Sequence, residues 1–230
     1  MSTPSPATYG LLGQLAVRPW TGYELTQQLR RSLRFVWPTS EGHLYREQKK
    51  LVELGWATAV DEPVGNRTRK RYEITDEGRA ALADWLATEP EEPHFEIEGV
   101  LRLFNADHGD LDDVVASLEA SATKARAMLD ELLGFVDDYL ADDGPLALLE
   151  AGEGGPGDRR EFRGRPVFPE RLHVVSMVID VTTSLLAELE SFSAAAAEDL
   201  GNRTSATDPS LTADTRRRLE AIRDRHRQFA

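Results

Sequence analysis

Apolar residues recur every three to four positions along most of this 230-residue chain, and the rhythm changes to period two at one place near the amino end. Tyr9, Leu11, Leu12 and Leu15 predict a helix from about Pro6 to Val17, ended by Pro19. Thr21, with Glu24 three residues on, reads as the capping box of a second helix, with Tyr23, Leu25 and Leu29 on its inward side and Leu33 near its end. Trp37-Pro38 breaks the chain before a third helix, Ser40 to Leu54, closed by Gly55. Its inward candidates are Leu44, Leu51, Val52 and Leu54. Trp56 to Asp61 and Arg69 to Ile74 read as two strands joined by a turn that Pro63, Gly65 and Asn66 supply. A fourth helix, roughly Asp76 to Thr88, carries Ala80, Leu82, Trp85 and Leu86. This order is that of a winged helix-turn-helix with a two-stranded wing, which offers a helix and a basic hairpin side by side to duplex DNA.

Beyond an acidic hinge, Glu89 to Pro93, the pattern becomes wholly helical. Ile97, Val100, Leu101 and Phe104 make one short stripe. Leu111, Val115, Leu118, Ala122, Ala125, Leu129, Leu132, Val136 and Tyr139 then alternate spacings of four and three, a coiled-coil period. Such a stripe packs either between subunits or inside one. A helix this long needs a long partner, which favours the seam between subunits. Residues 141–169 are rich in Gly, Pro and charge and predict a flexible loop. Residues 171–192 carry two adjacent apolar stripes (Val175, Ile179, Leu186, Leu189; Val174, Val178, Val181, Leu185, Phe192), which predicts a deeply buried helix. The expected fold class is therefore mainly α. Residues 1–90 form a winged helix-turn-helix DNA-binding domain and 91–200 an all-helical dimerisation domain. A polar linker and Arg-rich tail fill 201–230, with a last helix from Leu211 to Phe229.

Composition narrows the chemistry. The absence of cysteine excludes disulfides, thiolate metal sites and cysteine nucleophiles. The opening Met1 to Pro6 has no secretory pattern, and Leu172 to Val181 reads as too short and too polar to cross a bilayer, so a cytoplasmic protein without a membrane partner is expected. The formal net charge of −13 is unevenly placed: residues 1–90 hold 12 Lys and Arg against 11 Asp and Glu, whereas 91–230 hold 15 against 29. Phosphate binding needs a local basic face rather than a basic chain. Arg67, Arg69, Lys70 and Arg71 supply one at the wing, to grip phosphate or enter the minor groove. On the third helix, Ser40, His43, Tyr45, Arg46, Lys49 and Lys50 are the candidates for bases or adjacent phosphates. Three of these assignments have a structural alternative of equal weight: Tyr23, also a candidate contact, and Tyr72 as core tyrosines, and Ser40 as a helix cap. Of Lys49 and Lys50, whichever faces away from the groove is merely solvated.

An enzyme fits poorly. Gly152-x-Gly154-x-x-Gly157 matches a dinucleotide fingerprint in form only: no strand precedes it, Pro156 interrupts it, and Asp158-Arg159-Arg160 follows. The five histidines show no ligand spacing, no nucleophile elbow occurs, and no cofactor or metal is expected.

Several stretches together resemble the PadR family of bacterial transcriptional regulators. Leu11-Leu12-Gly13-Gln14-Leu15 and Thr21-Gly22-Tyr23-Glu24-Leu25 are similar to its opening helices. Ser40-Glu41-Gly42-His43-Leu44-Tyr45 is similar to its recognition-helix entry. Leu51-x-x-Leu54-Gly55 and Arg69 to Gly78 are similar to its helix end and wing. The match covers about residues 9–86. Arg46 and Gln48 depart from it, standing where the family usually has Pro and Leu, and the 141–169 stretch and Arg-rich tail exceed its pattern. The resemblance implies a homodimer on a pseudo-palindromic double-stranded DNA operator, usually a repressor, released by a small-molecule effector. Aromatic residues such as Trp85, Phe95 and Phe104 are candidates for an effector pocket, with core packing as their alternative role. The competing reading keeps the winged helix as a protein-interaction module without DNA.

Overall fold

The protein is described by a computed structural model that covers residues 3–64, 67–153, 160–207 and 209–227. The helices are α1 (Pro6–Val17), α2 (Gly22–Leu33), α3 (Glu41–Glu53), α4 (Asp76–Leu86), α5 (Glu98–Phe104), α6 (Leu111–Leu140), α7 (Pro145–Glu150), α8 (Leu172–Gly201) and α9 (Thr212–His226). The strands are β1 (Trp20–Thr21), β2 (Ala57–Val64), β3 (Arg67–Ile74), β4 (Arg160–Phe162) and β5 (Arg165–Val167). Two compact units result. One joins residues 1–93 to 133–182, and the other joins 94–132 to 183–230.

In the first unit, each helix start follows from its cap. Ser5 and Thr8 form a reciprocal capping box at α1, with Pro6 at the first helical position, where no amide partner is lost. Thr21 and Glu24 do the same at α2, the Thr21 amide donating to Glu24 Oε2 at 2.9 Å. Ser40 caps α3 and Thr75 caps α4. Gly55, at φ +72°, closes α3, a left-handed position that glycine takes without penalty. Leu11, Leu12, Leu15, Leu25, Leu44 and Leu51 fill the core with Trp20, whose indole donates to the Gln14 carbonyl at 2.9 Å. Tyr9 stacks on Trp85 at 4.7 Å between centroids.

The three-stranded antiparallel sheet has the order β1-β3-β2. Strand β1 was not foreseen, because two residues are too short for any period to show. Its pairing of Trp20 with Tyr72 ties the wing to the start of α2. The wing strands are longer than the pattern predicted, running to Val64 and back from Arg67; the Gly65-Asn66 turn lies outside the described residues.

Three expectations need correction here. Tyr23 does not line the inner side of α2: it is 67% exposed, since it stands at the helix's first turn ahead of the buried Leu25 and Leu29. The 141–169 stretch is not simply a loop. Pro145 opens α7, and β4 pairs with β5 through Arg163 (φ +50°) and Gly164 (φ +71°). Helix α8 is not deeply buried within the chain, and Val174, Met177, Val181, Leu185 and Phe192 leave a helical stripe facing out. The ten-residue window also understated its apolar length. With the turn before it, Pro169–Gly201 is long enough and, over an 18-residue stretch of mean hydropathy 1.5, apolar enough to span a membrane by length and composition alone. The apolar sequence that permits this is also what a helix needs to pack against another protein surface.

In the second unit, Ala106, Val114, Leu118, Ala196 and Ala197 form a small core with Leu103, Val115 and Leu200 around it. A Cβ on Gly99 would stand 2.4 Å from Ser121 Oγ, so glycine lets α5 sit against α6 with Ser121 in this rotamer. Of the coiled-coil positions, Leu118, Ala125, Leu129 and Leu132 are already buried within one chain. The in-chain alternative therefore holds for the middle of that stripe. Arg218 with Asp199, and Arg203 with Asp199 and Asp214, hold α9 in place, so the Arg-rich tail is helical and docked. On α5, Leu101 and Phe104 remain exposed, Phe104 at 82%.

Candidate nucleic-acid interface

Helix α3 divides its circumference sharply. Leu44 and Leu51 dock on α1 and α2, while Tyr45, Arg46 and Lys49 stand exposed together on the opposite side. Ser40 is exposed at the helix start, but its hydroxyl accepts the His43 amide at 3.3 Å, so the capping role is realised. His43 is half-buried, with Nε2 3.8 Å from Glu47 Oε1 and Nδ1 3.5 Å from an Arg46 nitrogen. It flanks the outward face rather than leading it. Lys50 turns away altogether and donates to the Thr3 carbonyl at 2.6 Å, with Glu47 3.9 Å away. Of the two lysines, Lys49 is the one on the open face.

Two polar residues on the inner side of α3 explain how it keeps its register without a continuous apolar stripe. Gln48, where a leucine was to be expected, is fully enclosed; its amide donates to the Gly22 carbonyl at 2.9 Å and to Thr26 Oγ1 at 2.8 Å. A satisfied buried amide costs little, and here it fixes α3 against α2. Glycine at position 22 leaves room for this contact, as a Cβ would lie 2.8 Å from Gln48 Oε1 and force that amide to shift. Glu47 is buried at the α1 capping box, accepting from the Thr8 hydroxyl and, at 3.2 Å, from Ser5. Sequence reasoning placed Glu47 away from the inward face. The nearby hydroxyls that make its burial possible come from a distant part of the chain, so no local pattern marks it.

The wing is basic but internally paired. Arg69 Nε lies 2.7 Å from Glu62 Oε2, and Arg71 Nη2 lies 3.2 Å from the same oxygen. The hydrogen bonds from both guanidiniums hold the Glu62 carboxyl below the usual carboxylate range. Lys70 stands opposite Asp61 in the register. The basic run of residues 67–71 thus meets acids from the facing strand. Counting back through a two-residue turn would have placed Glu62 opposite Arg69. The Arg67 backbone belongs to β3, and its side chain lies outside the described residues.

Tyr23, exposed at the start of α2, stands at the end where that helix presents free amides. Its neighbour Glu24 is held below the usual carboxylate range. Burial alone would raise it, but hydrogen bonds from Thr21 and the charges of Arg71 and Arg18 outweigh burial. Tyr72, by contrast, is a core residue, its phenol pushed up by burial with Tyr45 nearby. The formal dinucleotide fingerprint cannot be placed, because Gly154 and Gly157 lie outside the described residues.

The model of the transcriptional regulator PadR-like family matches residues 11–84, from α1 through most of α4. The chain is 26% identical over 141 residues to the negative transcriptional regulator PadR of Bacillus subtilis, covering 60% of this chain and 78% of that protein. It is 28% identical over 151 residues to a probable transcriptional regulator of Mycobacterium tuberculosis, covering 60% and 79%. Three solved structures share the fold. Bacillus subtilis PadR in complex with operator DNA superposes with a TM-score of 0.57 at 21% identity, over 81% of this chain and 96% of that one. The same regulator in complex with p-coumaric acid gives 0.51 at 22%, over 84% and 97%. A PadR-like transcriptional regulator from Bacillus cereus gives 0.60 at 17%, over 85% and 98%. All of these are regulators and none is an enzyme. Residues 11–84, the winged helix, are thus similar to the transcriptional regulator PadR-like family, and the chain as a whole shares the fold of its solved members.

Proposed function

We propose that the protein is a homodimeric, sequence-specific repressor that binds a pseudo-palindromic operator and is released by a small-molecule effector in the cytoplasm. The observation that carries this reading is the outward face of α3, where Tyr45, Arg46 and Lys49 are exposed together. Residues 1–90 act as the DNA-binding part, with α3 in the major groove reading base edges. Tyr23, Ser40 and His43 flank it, and the wing supplies phosphate contacts through Arg67, Arg69, Lys70 and Arg71. Lys50 leaves the set, since its ammonium is engaged with Thr3.

The helices of 91–200 bring two such domains together. The stripe on α8 and the uncovered side of α5 supply apolar surface for a second copy, and two recognition helices about 34–36 Å apart then meet successive major grooves. The p-coumaric acid complex of the Bacillus relative supports control by a small organic molecule. Recovery of bound genomic fragments followed by footprinting tests the proposal. A protected site with two-fold symmetry is expected, and uniform binding to unrelated duplexes would overturn it.

A further inference from the structure

The β4–β5 hairpin and the residues that follow it are fastened on two sides. On one side, Arg165 lies over the Phe135 ring near the end of α6, 5.1 Å from its centroid, and Arg163 pairs with Asp138. On the other, the chain leaves β5 through the buried Val167 and reaches the core of the winged helix. There Phe168 meets the Trp20 indole edge to face, with ring centroids 5.8 Å apart and planes inclined at 70°. The Arg18 guanidinium covers the same indole at 3.8 Å and stands 5.8 Å from the Phe168 ring. Edge-to-face rings and a guanidinium over an indole each add attraction beyond the apolar area they bury.

Trp20 is half of β1, whose two residues pair with Tyr72 and Arg71 of β3. Strand β1 is therefore the third strand of a sheet whose other two run on as the wing, and a two-stranded ribbon alone is marginally stable in water. Two residues offer too few backbone bonds to hold a strand in place by themselves. The Trp20 side chain does that work. Its N–H donates to the Gln14 carbonyl at 2.9 Å, Arg18 lies over the ring, and Phe168 lies against it, which leaves Trp20 1% exposed. Of these three contacts, Phe168 alone comes from outside the winged helix. It belongs to the 141–169 stretch, which exceeds the PadR pattern.

We propose that Phe168 is a positioning residue for DNA binding: by pinning Trp20 it fixes β1 against β3, and so sets where the wing stands. It touches no nucleic acid itself. Helix α3 is anchored separately, through Leu44 and Leu51 in the core and Gln48 on α2, so its outward face does not depend on Phe168. Loss of the Phe168 ring therefore weakens the phosphate contacts of the wing and leaves sequence preference in place. The effect on affinity rests on the DNA-binding reading, whereas the hold on the wing does not.

The test uses the full chain in two measurements. In hydrogen exchange without DNA, Phe168→Ala should speed exchange several-fold in peptides spanning Arg67–Ile74 and leave those of α3 unchanged. In titrations with the operator recovered by footprinting, Phe168→Ala should weaken binding about tenfold, the scale of coupling through packed side chains. It should also flatten the log–log salt dependence by about one to two units without altering the preferred sequence. Phe168→Tyr, which keeps the ring, should retain the parent values, and Phe162→Ala, which removes the ring beside Arg163, should change neither measurement. Where Phe168→Ala does not fold, Phe168→Leu carries the same expectations at smaller size. Unchanged exchange in the wing would overturn the proposal. So would a lowered thermal midpoint with operator affinity and salt slope intact, since Phe168 would then only stabilise the core. Faster wing exchange in a chain that binds no duplex would uphold the hold on the wing and overturn the DNA-binding reading instead.

Discussion

Arg46 and Lys49, the proposed base and phosphate contacts of α3, have no acid bound to them among the described residues, whereas the wing arginines Arg69 and Arg71 would have to leave Glu62 to reach DNA. The two groups should respond differently to substitution. Arg46→Ala is expected to weaken operator binding by about 1–3 kcal/mol if the guanidinium reads a base, and to relax preference at one position of the site in a binding-selection assay. Glu62→Gln should tighten binding to all duplexes and steepen its salt dependence, because two guanidiniums are freed for phosphate. An unchanged slope in a salt titration would show that the wing arginines do not reach the backbone. Glu24 yields a pH dependence. Its folded-state pKa is lowered, so it stabilises the protein fully above the ordinary value of 4.5 and loses that contribution as pH falls through the lowered one. Thermal midpoints across that window should decline less steeply in Glu24→Gln than in the parent chain.

At the scale of elements, glycine contacts and buried amides set the geometry that the exposed residues need. Gly78 packs where a Cβ would stand 2.1 Å from the Trp56 carbonyl oxygen, so Gly78→Ala must push α4 off the base of the wing. A loss of about 1–3 kcal/mol in chemical denaturation is expected, as for other overpacked sites. Gln48→Ala should cost a similar amount by leaving the Gly22 carbonyl and Thr26 hydroxyl short of a donor, and should loosen α3 even where the fold survives. These two positions also mark how far the sequence could be read. The caps at Ser40, Thr21 and Thr75, the stop at Gly55 and the period-two run at Arg69–Ile74 act within a few residues, so helices and strands were legible from local pattern. Gln48, Glu47 and Glu62 take their roles from partners between 7 and 42 residues away, and β1 exists only because Tyr72 is there to pair with. The β4–β5 hairpin was missed for a related reason: three-residue strands rich in charge and proline look like a loop until they pair.

For the molecule as a whole, the apolar stripe on α8 is the surface that the proposed homodimer would cover. A helix with Val174, Met177, Val181, Leu185 and Phe192 exposed in line offers such a face, and a second copy would bring an equivalent one under two-fold symmetry. Val181→Asp should shift the protein to monomer in sedimentation velocity, and operator affinity should fall with it, because one recognition helix alone reads half a site. Retention of a dimer by that variant would place the interface elsewhere. The bracing of α3 carries a practical corollary. Lys50 grips the Thr3 carbonyl, and Glu47 holds Ser5 and Thr8, so the groove-reading helix leans on the first few residues of the polypeptide. An affinity tag or fusion partner joined at that end would tug on the part that recognises sequence, and recombinant versions meant for DNA work are better extended at the opposite terminus.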